Sequence, residues 1–199
     1  YTSLNRLIDE TRPDVLVFNT NQCKDVQDWF AWYSRELKVP LLGIRTPMGL
    51  GEITAAHIDG VTAQLAAMVP ELEKITGAKL DPEKLKETVG LSLECSRLWR
   101  GVLETAAHVP SPLTFFDATI QMGPAVVLRG TKAAVDYYTT FLAELRTRIK
   151  DGVWAIEGER HRLYWDGMPV WGKLRDLSGF FAGLKTCVAA STYCNSWIF

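Results

Sequence analysis

The hydrophobic pattern at the start of the chain alternates between short apolar runs and a helical repeat. An apolar run at 15–19 is followed by apolar positions every three or four residues over 24–37, and VPLLGI at 39–44 is a second apolar run. Short apolar runs bounded by turn residues are typical of buried parallel strands, whereas the helical repeat indicates an amphipathic helix. The pattern therefore predicts a strand, a helix and a second strand. The end of a further helix is predicted at 3–11, where Pro13 closes the repeat.

Helical periodicity dominates the central part of the chain, residues 52–150. The tripeptide Asp81-Pro82-Glu83 marks a helix start, because proline is favoured at the first helical position. The helix that begins at Pro82 is expected to end before Pro110 and Pro112. The helices predicted in this segment span 52–77, 82–108, 114–129 and 131–150.

Strand character returns near the end of the chain in RLYWDG, residues 162–167. A helix is predicted at 172–183 and a strand at 185–191, which is KTCVAAS. The predicted fold class is therefore α/β, with two Rossmann-like parallel-sheet units joined by a mostly helical segment. The predicted domains are the end of a first α/β domain at 1–51, the helical segment at 52–150 and the start of a second α/β domain at 151–199.

Two helices of the central segment carry apolar residues over a wider arc than one buried face needs. These residues are Trp99 and Leu103 on one helix, and Tyr137, Tyr138, Phe141 and Leu142 on another. A helix that is apolar over a wide arc is covered on more than one side. We expect the α/β units to cover part of these residues and a partner subunit the rest, which leaves an exposed apolar patch on the isolated chain. The alternative is that the segment packs the two units together within one chain.

Composition and charge argue against several classes of protein. The chain has 199 residues, of which 47% are apolar, and a net charge of −1. It has no basic tract, so we expect no nucleic-acid partner, and no apolar run near the roughly 20 residues that span a bilayer, so we expect no membrane partner. Four cysteines and no visible signal peptide favour a cytoplasmic protein with reduced thiols. Because it lacks an initiator methionine, the chain is expected to be a fragment.

Cys23 lies where the first predicted strand ends and the next helix begins. Open α/β sheets bind ligands at the carboxyl edge of their strands. The partial positive charge at a helix N-terminus favours a thiolate, which is the form that binds metals. Cys23 is therefore a candidate ligand of a metal or cofactor. The alternative is a loop thiol without a function.

The other cysteines and two of the histidines are interpreted from their places in the predicted elements. Cys194 also follows a predicted strand, so the same argument makes it a candidate metal ligand. Cys187 lies inside a predicted strand and Cys95 in the middle of a helix, so core packing is expected for both. His57 and His108 lie in predicted helices without an evident partner, and no ligand role is expected for them.

The stretch GERHRLYWDGMPVW at 158–171 is dense in aromatic and polar residues. Trp165 and Gly167 come at the end of a predicted strand and are candidates for binding the substrate, because an indole ring can stack on a planar ligand. Trp171 offers a second such ring. The candidate residues for binding an anion are Arg160, His161 and Arg162. The alternative is an ordinary strand, in which the side chains of Arg160 and His161 are solvated and those of Leu163 and Trp165 lie in the core.

Three segments of the chain, taken in order, resemble one enzyme family. They are NTNQCKDVQDWFAWYSRELKVPLLGIRTP, QLAAMVPELEKITGAKLDPEKLKETV and RHRLYWDGMPVW. Their order and spacing resemble the benzoyl-CoA reductase and 2-hydroxyacyl-CoA dehydratase family, which includes the 2-hydroxyglutaryl-CoA dehydratase D-component. The similarity covers nearly the whole chain. The first segment matches the region that carries one cluster ligand in that family, and the third resembles the start of its second α/β domain.

The resemblance implies a heterodimer of related subunits, each holding an iron–sulfur cluster, typically [4Fe–4S], through three cysteines. It also implies an acyl-CoA substrate and a separate iron–sulfur activator that hydrolyses ATP and injects one low-potential electron. Cys23 is the residue that matches a cluster ligand of the family. The other ligands are expected before Tyr1 and after Phe199. Such chemistry needs a site that excludes water and oxygen.

Three classes of function are consistent with these observations. The first is an iron–sulfur subunit of a CoA-thioester reductase of the benzoyl-CoA reductase type. Within the family, the alternatives are a 2-hydroxyacyl-CoA dehydratase subunit that acts through a ketyl radical, and a member that binds a double-cubane cluster. The second class is a non-catalytic structural partner in such a heterodimer. The third class is a generic α/β ligand-binding domain.

Overall fold

The residues described by this computed structural model are 12–21, 23–47 and 51–198. The predicted helix end at 3–11 lies outside the described residues. The chain divides into two compact units, Tyr1–Leu80 and Asp81–Phe199, which are called unit 1 and unit 2 below. The three predicted domains stay a prediction.

Unit 1 contains a parallel two-stranded sheet and two helices. In chain order its elements are β1 (Leu16–Asn19), α1 (Lys24–Leu37), β2 (Leu41–Ile44) and α2 (Ala55–Thr76). The register pairs Leu16 with Leu41 at one end of the sheet and Asn19 with Ile44 at the other. This is the predicted strand–helix–strand unit, with its second strand two residues shorter than expected.

Gly43 allows the two strands of unit 1 to pair in this register. It lies opposite Phe18 in the ladder, and a Cβ atom built on it would lie 2.6 Å from the phenyl ring. Helix α2 begins later than predicted because Thr54 caps it. The Thr54 hydroxyl accepts from the His57 N–H, and His57 Nδ1 accepts from the Thr54 N–H at 3.3 Å. This capping box sets the helix start and gives His57 a structural role.

Unit 2 contains most of the helical segment and the second sheet. Its longer elements are α3 (Pro82–Glu104), α4 (Phe115–Gln121), α5 (Gly123–Val127), α6 (Lys132–Asp151), β3 (His161–Trp165), α7 (Leu174–Gly183), β4 (Thr186–Ser191) and α8 (Thr192–Asn195). Short 3₁₀ turns lie at Thr105–Ala107 and Trp171–Lys173. Strands β3 and β4 are parallel, with an irregularity between Leu163 and Tyr164. The predicted α/β fold class is confirmed.

Two further helices of the central segment differ from the prediction. The single helix expected at 114–129 is two helices, α4 and α5, with Pro124 in the first turn of the second. Proline lacks an N–H and clashes with the preceding turn, so it starts a helix rather than continuing one. Helix α3 ends at Glu104, four residues early. The Thr105 hydroxyl donates to the Val102 carbonyl at 2.7 Å, and the chain continues from Thr105 as a 3₁₀ turn.

The core of unit 2 buries three of the six apolar residues that were expected to need cover on more than one side. Trp99, Tyr138 and Leu142 are all at most 5% exposed. Tyr138 donates to the Gln121 carbonyl and accepts from the Ala125 N–H, both at 2.9 Å, so its hydroxyl is satisfied within the unit. Unit 2 therefore covers these three side chains by itself, while one of the other three is exposed, and cover by a partner subunit stays a prediction.

The exposed apolar side chains of α3 lie at other positions, nearer the start of the helix. Leu85, Val89 and Leu93 are each about half exposed or more and follow one another at a spacing of four residues. Residues four apart lie on the same face of a helix, so these three form one stripe. Within 12–21, 23–47 and 51–198, no helix combines the length and the apolar character that crossing a bilayer requires.

Candidate functional site

Cys23 lies at the carboxyl edge of the unit 1 sheet, as the capping residue before α1. Its carbonyl oxygen accepts from the N–H groups of Val26 and Gln27, at 3.0 and 3.4 Å, so the main chain starts the helix. Its side chain makes no capping hydrogen bond. All four cysteines lie in the described part of the chain, and of these only Cys23 is exposed. The main chain therefore holds the residue while the thiol stays available to a ligand.

A polar bridge joins the two loops that leave this edge of the sheet. Asn19 Oδ1 accepts from the Asn21 N–H at 2.9 Å and from the Thr46 hydroxyl at 3.2 Å. The Thr46 N–H donates to Thr20 Oγ1 at 3.4 Å. We call Asn19, Thr20 and Thr46 the Asn19–Thr46 bridge. These residues were not identified from the sequence, although each lies within two residues of the end of a strand.

The carboxyl edge of the second sheet carries the predicted substrate-binding residues. The Trp165 ring stacks on Phe115, with centroids 5.2 Å apart and planes 15° apart. Its indole N–H donates to the Met168 carbonyl at 3.2 Å. Phe115 therefore covers one face of the indole, and Trp165 shapes the turn after β3. Its role in substrate binding stays a prediction.

Gly167 occupies a turn that a hydroxyl group holds to the end of β4. Its φ is 83°, a left-handed conformation that glycine adopts without strain. The Gly167 N–H donates to Thr192 Oγ1 at 2.9 Å, and the Thr192 hydroxyl donates to Asp166 Oδ1 at 3.0 Å. Beside them, Trp171 is half exposed and meets Tyr193 edge-on, with centroids 5.8 Å apart. Thr192 and Tyr193 were not identified from the sequence.

Cys194 is enclosed in unit 2. It is 2% exposed, and its thiol lies 3.8 Å from the Thr119 hydroxyl. Its N–H donates to Ser191 Oγ at 3.0 Å, which caps α8. Burial raises the pKa of the Cys194 thiol above its ordinary value, against hydrogen bonds that lower it. The fold thus favours a protonated thiol here, and the metal-ligand role predicted for Cys194 remains a prediction.

The expectation that Cys95 and Cys187 pack in the core is confirmed, since neither is exposed. Burial raises the pKa of both thiols, and that of Cys187 reaches about 11, with the charge of Glu159 as the next cause. Burial disfavours a charged thiolate, which is the form that binds metals.

The proposed anion site is only partly available. Arg160 and His161 are exposed. Arg162 instead lies 3.3 Å from Glu159, measured from Nε to Oε1, and the side chain of Glu159 is 1% exposed. Arg162 also donates to the carbonyl oxygens of Ala106 and His108. The hypothesis that Arg162 binds an external anion is wrong, because its guanidinium serves an internal carboxylate and the main chain.

The described residues contain one candidate ligand of an iron–sulfur cluster, Cys23, and no complete set of ligands. In the ranges given above, no group of three or more histidine, cysteine or acidic side chains is placed to hold a metal ion. Such clusters are held by several cysteine thiolates. The exposed and unbonded thiol of Cys23 fits one such position.

Comparison with known proteins gives a family match over almost the whole chain. The family model described as 2-hydroxyglutaryl-CoA dehydratase, D-component, matches residues 2–199. The alpha subunit of (R)-2-hydroxyisocaproyl-CoA dehydratase from Clostridioides difficile is 32% identical over 193 residues, which are 96% of this chain and 47% of that protein. A subunit of benzoyl-CoA reductase from Thauera aromatica is 32% identical over 191 residues, which are 91% of this chain and 44% of that protein.

A third relative is more distant. The alpha subunit of (R)-2-hydroxyglutaryl-CoA dehydratase from Acidaminococcus fermentans is 26% identical over 167 residues, which are 83% of this chain and 35% of that protein. The chain thus spans less than half the length of each of these three relatives.

Proposed function

The chain belongs to the family of the 2-hydroxyglutaryl-CoA dehydratase D-component, and from this we propose that it is part of an iron–sulfur subunit of an enzyme that reduces or dehydrates a CoA thioester. The observation that carries the proposal is the placement of Cys23. It is an exposed, free thiol at the carboxyl edge of a parallel sheet, where α/β folds bind ligands. When bound, an iron–sulfur cluster supplies low-potential electron transfer.

The reaction proposed first is reduction of the benzoyl-CoA type, and the second candidate is dehydration of a 2-hydroxyacyl-CoA. The second is retained for a specific reason. A dehydratase alpha subunit and a benzoyl-CoA reductase subunit are both 32% identical to this chain, so identity does not separate the two reactions. The substrate class common to both candidates is an acyl-CoA thioester.

The remaining parts of the proposal concern partners and location. The relatives are named as individual subunits of their enzymes, which supports a related sister subunit as a partner. We also propose that the protein holds a [4Fe–4S] cluster, that a separate iron–sulfur activator which hydrolyses ATP supplies its electrons, and that it is cytoplasmic. We propose that the turn at Gly167, which the Thr192 hydroxyl holds in place, binds the substrate. The other cluster ligands are proposed to come from parts of the protein outside this chain.

Anaerobic metal analysis of the full-length protein with its sister subunit tests this proposal. We expect iron and sulfide in the wild-type protein and a loss of both in Cys23→Ala. Cys95→Ala is the matched control, because it removes a thiol from the core of unit 2 and leaves the carboxyl edge of the unit 1 sheet unchanged. Product analysis with benzoyl-CoA and with a 2-hydroxyacyl-CoA, in the presence of the activator, distinguishes the two reactions. Unchanged iron and activity in Cys23→Ala would refute the role of Cys23.

A further inference from the structure

We propose that the Asn19–Thr46 bridge positions the loop that presents Cys23. The proposal rests on the proposed function where Cys23 acts as a cluster ligand. Main-chain pairing in the sheet runs to Asn19 and Ile44, and the Thr20 N–H adds a bond to the Ile44 carbonyl at 3.0 Å. Beyond that point, side chains of the bridge continue to join the two strand ends.

The bridge ties the Cys23 loop to the end of β2 at two points. The Thr46 hydroxyl donates to Asn19 Oδ1, and the Thr46 N–H donates to Thr20 Oγ1, at 3.2 and 3.4 Å. Residues 19 and 46 are 27 positions apart in the sequence. The bond between their side chains therefore joins the end of β1, where the loop begins, to the segment that follows β2, and α1 on the far side of Cys23 fixes the other end of the loop.

Asn19 has a second task within the loop itself. Its Oδ1 also accepts from the Asn21 N–H at 2.9 Å, which forms the turn that an Asn side chain makes with the main chain two residues later. One oxygen atom thus sets the turn and receives the Thr46 hydroxyl. Loss of the Thr46 hydroxyl removes one of these bonds, whereas loss of the Asn19 amide removes both.

Position matters for a metal ligand because coordination distances vary by only about 0.2 Å. Side chains that orient a ligand without touching the metal typically change metal affinity by about 10- to 100-fold when they are removed. We therefore class Asn19 and Thr46 as positioning residues. They are expected to act on cluster retention through Cys23.

The experiment compares Thr46→Val with Thr46→Ser in the full-length protein and its sister subunit. Valine has nearly the shape of threonine but lacks the hydroxyl, whereas serine keeps the hydroxyl. We measure the rate of iron release to a chelator under anaerobic conditions, the EPR spectrum of the reduced cluster, and hydrogen exchange in a peptide covering 19–26. The bridge bond predicts iron release about three- to ten-fold faster in Thr46→Val, with a rate near that of the wild type in Thr46→Ser.

Two further variants make the test specific. Asn19→Leu removes both bonds to Oδ1 and is expected to release iron faster than Thr46→Val does. Thr139→Val is the control, since that hydroxyl donates to the Val135 carbonyl in α6 of unit 2. It is expected to release iron at the wild-type rate.

The outcomes separate this proposal from the proposed function. If Cys23→Ala loses iron but Thr46→Val keeps it with an unchanged release rate and spectrum, the positioning role is overturned and the function stands. If Cys23→Ala keeps its iron, the cluster role of Cys23 fails, and hydrogen exchange then decides the positioning of the loop. Faster exchange at 19–26 in Thr46→Val but not in Thr46→Ser supports the bridge. Equal exchange in both variants overturns it.

Discussion

The indole N–H of Trp99 donates a 3.1 Å hydrogen bond to the main-chain carbonyl of Cys194, 95 residues further along the chain. Trp99 is fully buried and Cys194 nearly so. The bond joins α3 to α8, the short helix that directly follows β4. It therefore holds the carboxyl end of the second sheet to the longest helix of unit 2.

Removal of this bond is expected to destabilise unit 2. Trp99→Phe removes the side-chain donor to the Cys194 carbonyl, which keeps only its main-chain bonds such as that from the Trp197 N–H at 3.4 Å, and it shrinks a buried ring. The free energy of unfolding should therefore fall by about 2–4 kcal/mol. Denaturant unfolding measures the change. Trp171→Phe is the matched control because Trp171 is half exposed, and its effect should stay within about 0.5 kcal/mol. Equal effects of the two substitutions would contradict the structural role of the Trp99 bond.

Thiol labelling should separate Cys23 from the other cysteines. In the folded, cluster-free protein, iodoacetamide is expected to alkylate Cys23 first, because it is the exposed one of the four. Cys95, Cys187 and Cys194 are buried and should react only after denaturation. Peptide mass spectrometry before and after denaturation reads the labelling at each residue. Rapid labelling of Cys194 in the folded protein would contradict the burial of this thiol in unit 2.

The stability of unit 2 should fall in alkaline solution, partly through Cys187. Burial and the Glu159 charge raise the pKa of this thiol from 9.0 to about 11. Below pH 9 the thiol is protonated in both states. Between these two values the unfolded chain loses the proton that the folded one keeps, so the free energy of unfolding falls as the pH rises.

The Cys187→Ala variant tests this pH dependence. It should reduce the slope of unfolding free energy against pH by up to about 1.4 kcal/mol per unit between pH 9 and 11. Cys23→Ala, which removes an exposed thiol, is the control. Denaturant unfolding over a series of pH values measures the slopes. An unchanged slope in Cys187→Ala would mean that the thiol titrates alike in both states.

The pair formed by Glu159 and Arg162 should be sensitive to loss of the cation alone. Arg162→Met leaves the buried Glu159 carboxylate without its counter-ion, which should lower the free energy of unfolding by about 3 kcal/mol. Adding Glu159→Gln to this variant should restore part of the loss. Lys173→Ala breaks an exposed pair with Asp176 and should cost less than about 1 kcal/mol. Denaturant unfolding of Arg162→Met, of Glu159→Gln and of the double variant measures the coupling between the two residues. Additive effects of the two substitutions would contradict that coupling.

The order of strands and helices could be predicted because local patterns carry it. Apolar runs and helical repeats predicted β1, α1 and β2 in the correct order, and the edge where Cys23 lies followed from that order. The two helix starts that were not predicted, those of α2 and α5, also follow from local rules. Thr54 with His57 forms a capping box, and Pro124 begins α5. Both signals were present in the sequence but were outweighed by the apolar repeat around them.

The sequence by itself determined the element order, the α/β class and the placement of Cys23 between a strand and a helix, because periodicity and capping act over one or two turns of chain. Only the tertiary structure decided which polar groups meet. Asn19 with Thr46 and Trp99 with Cys194 are joined across 27 and 95 positions. Likewise, Cys23 is exposed and Cys194 enclosed although both follow strands. The physical reason is that burial and long-range hydrogen bonds depend on how the elements pack, and a local pattern does not specify which neighbours cover a side chain.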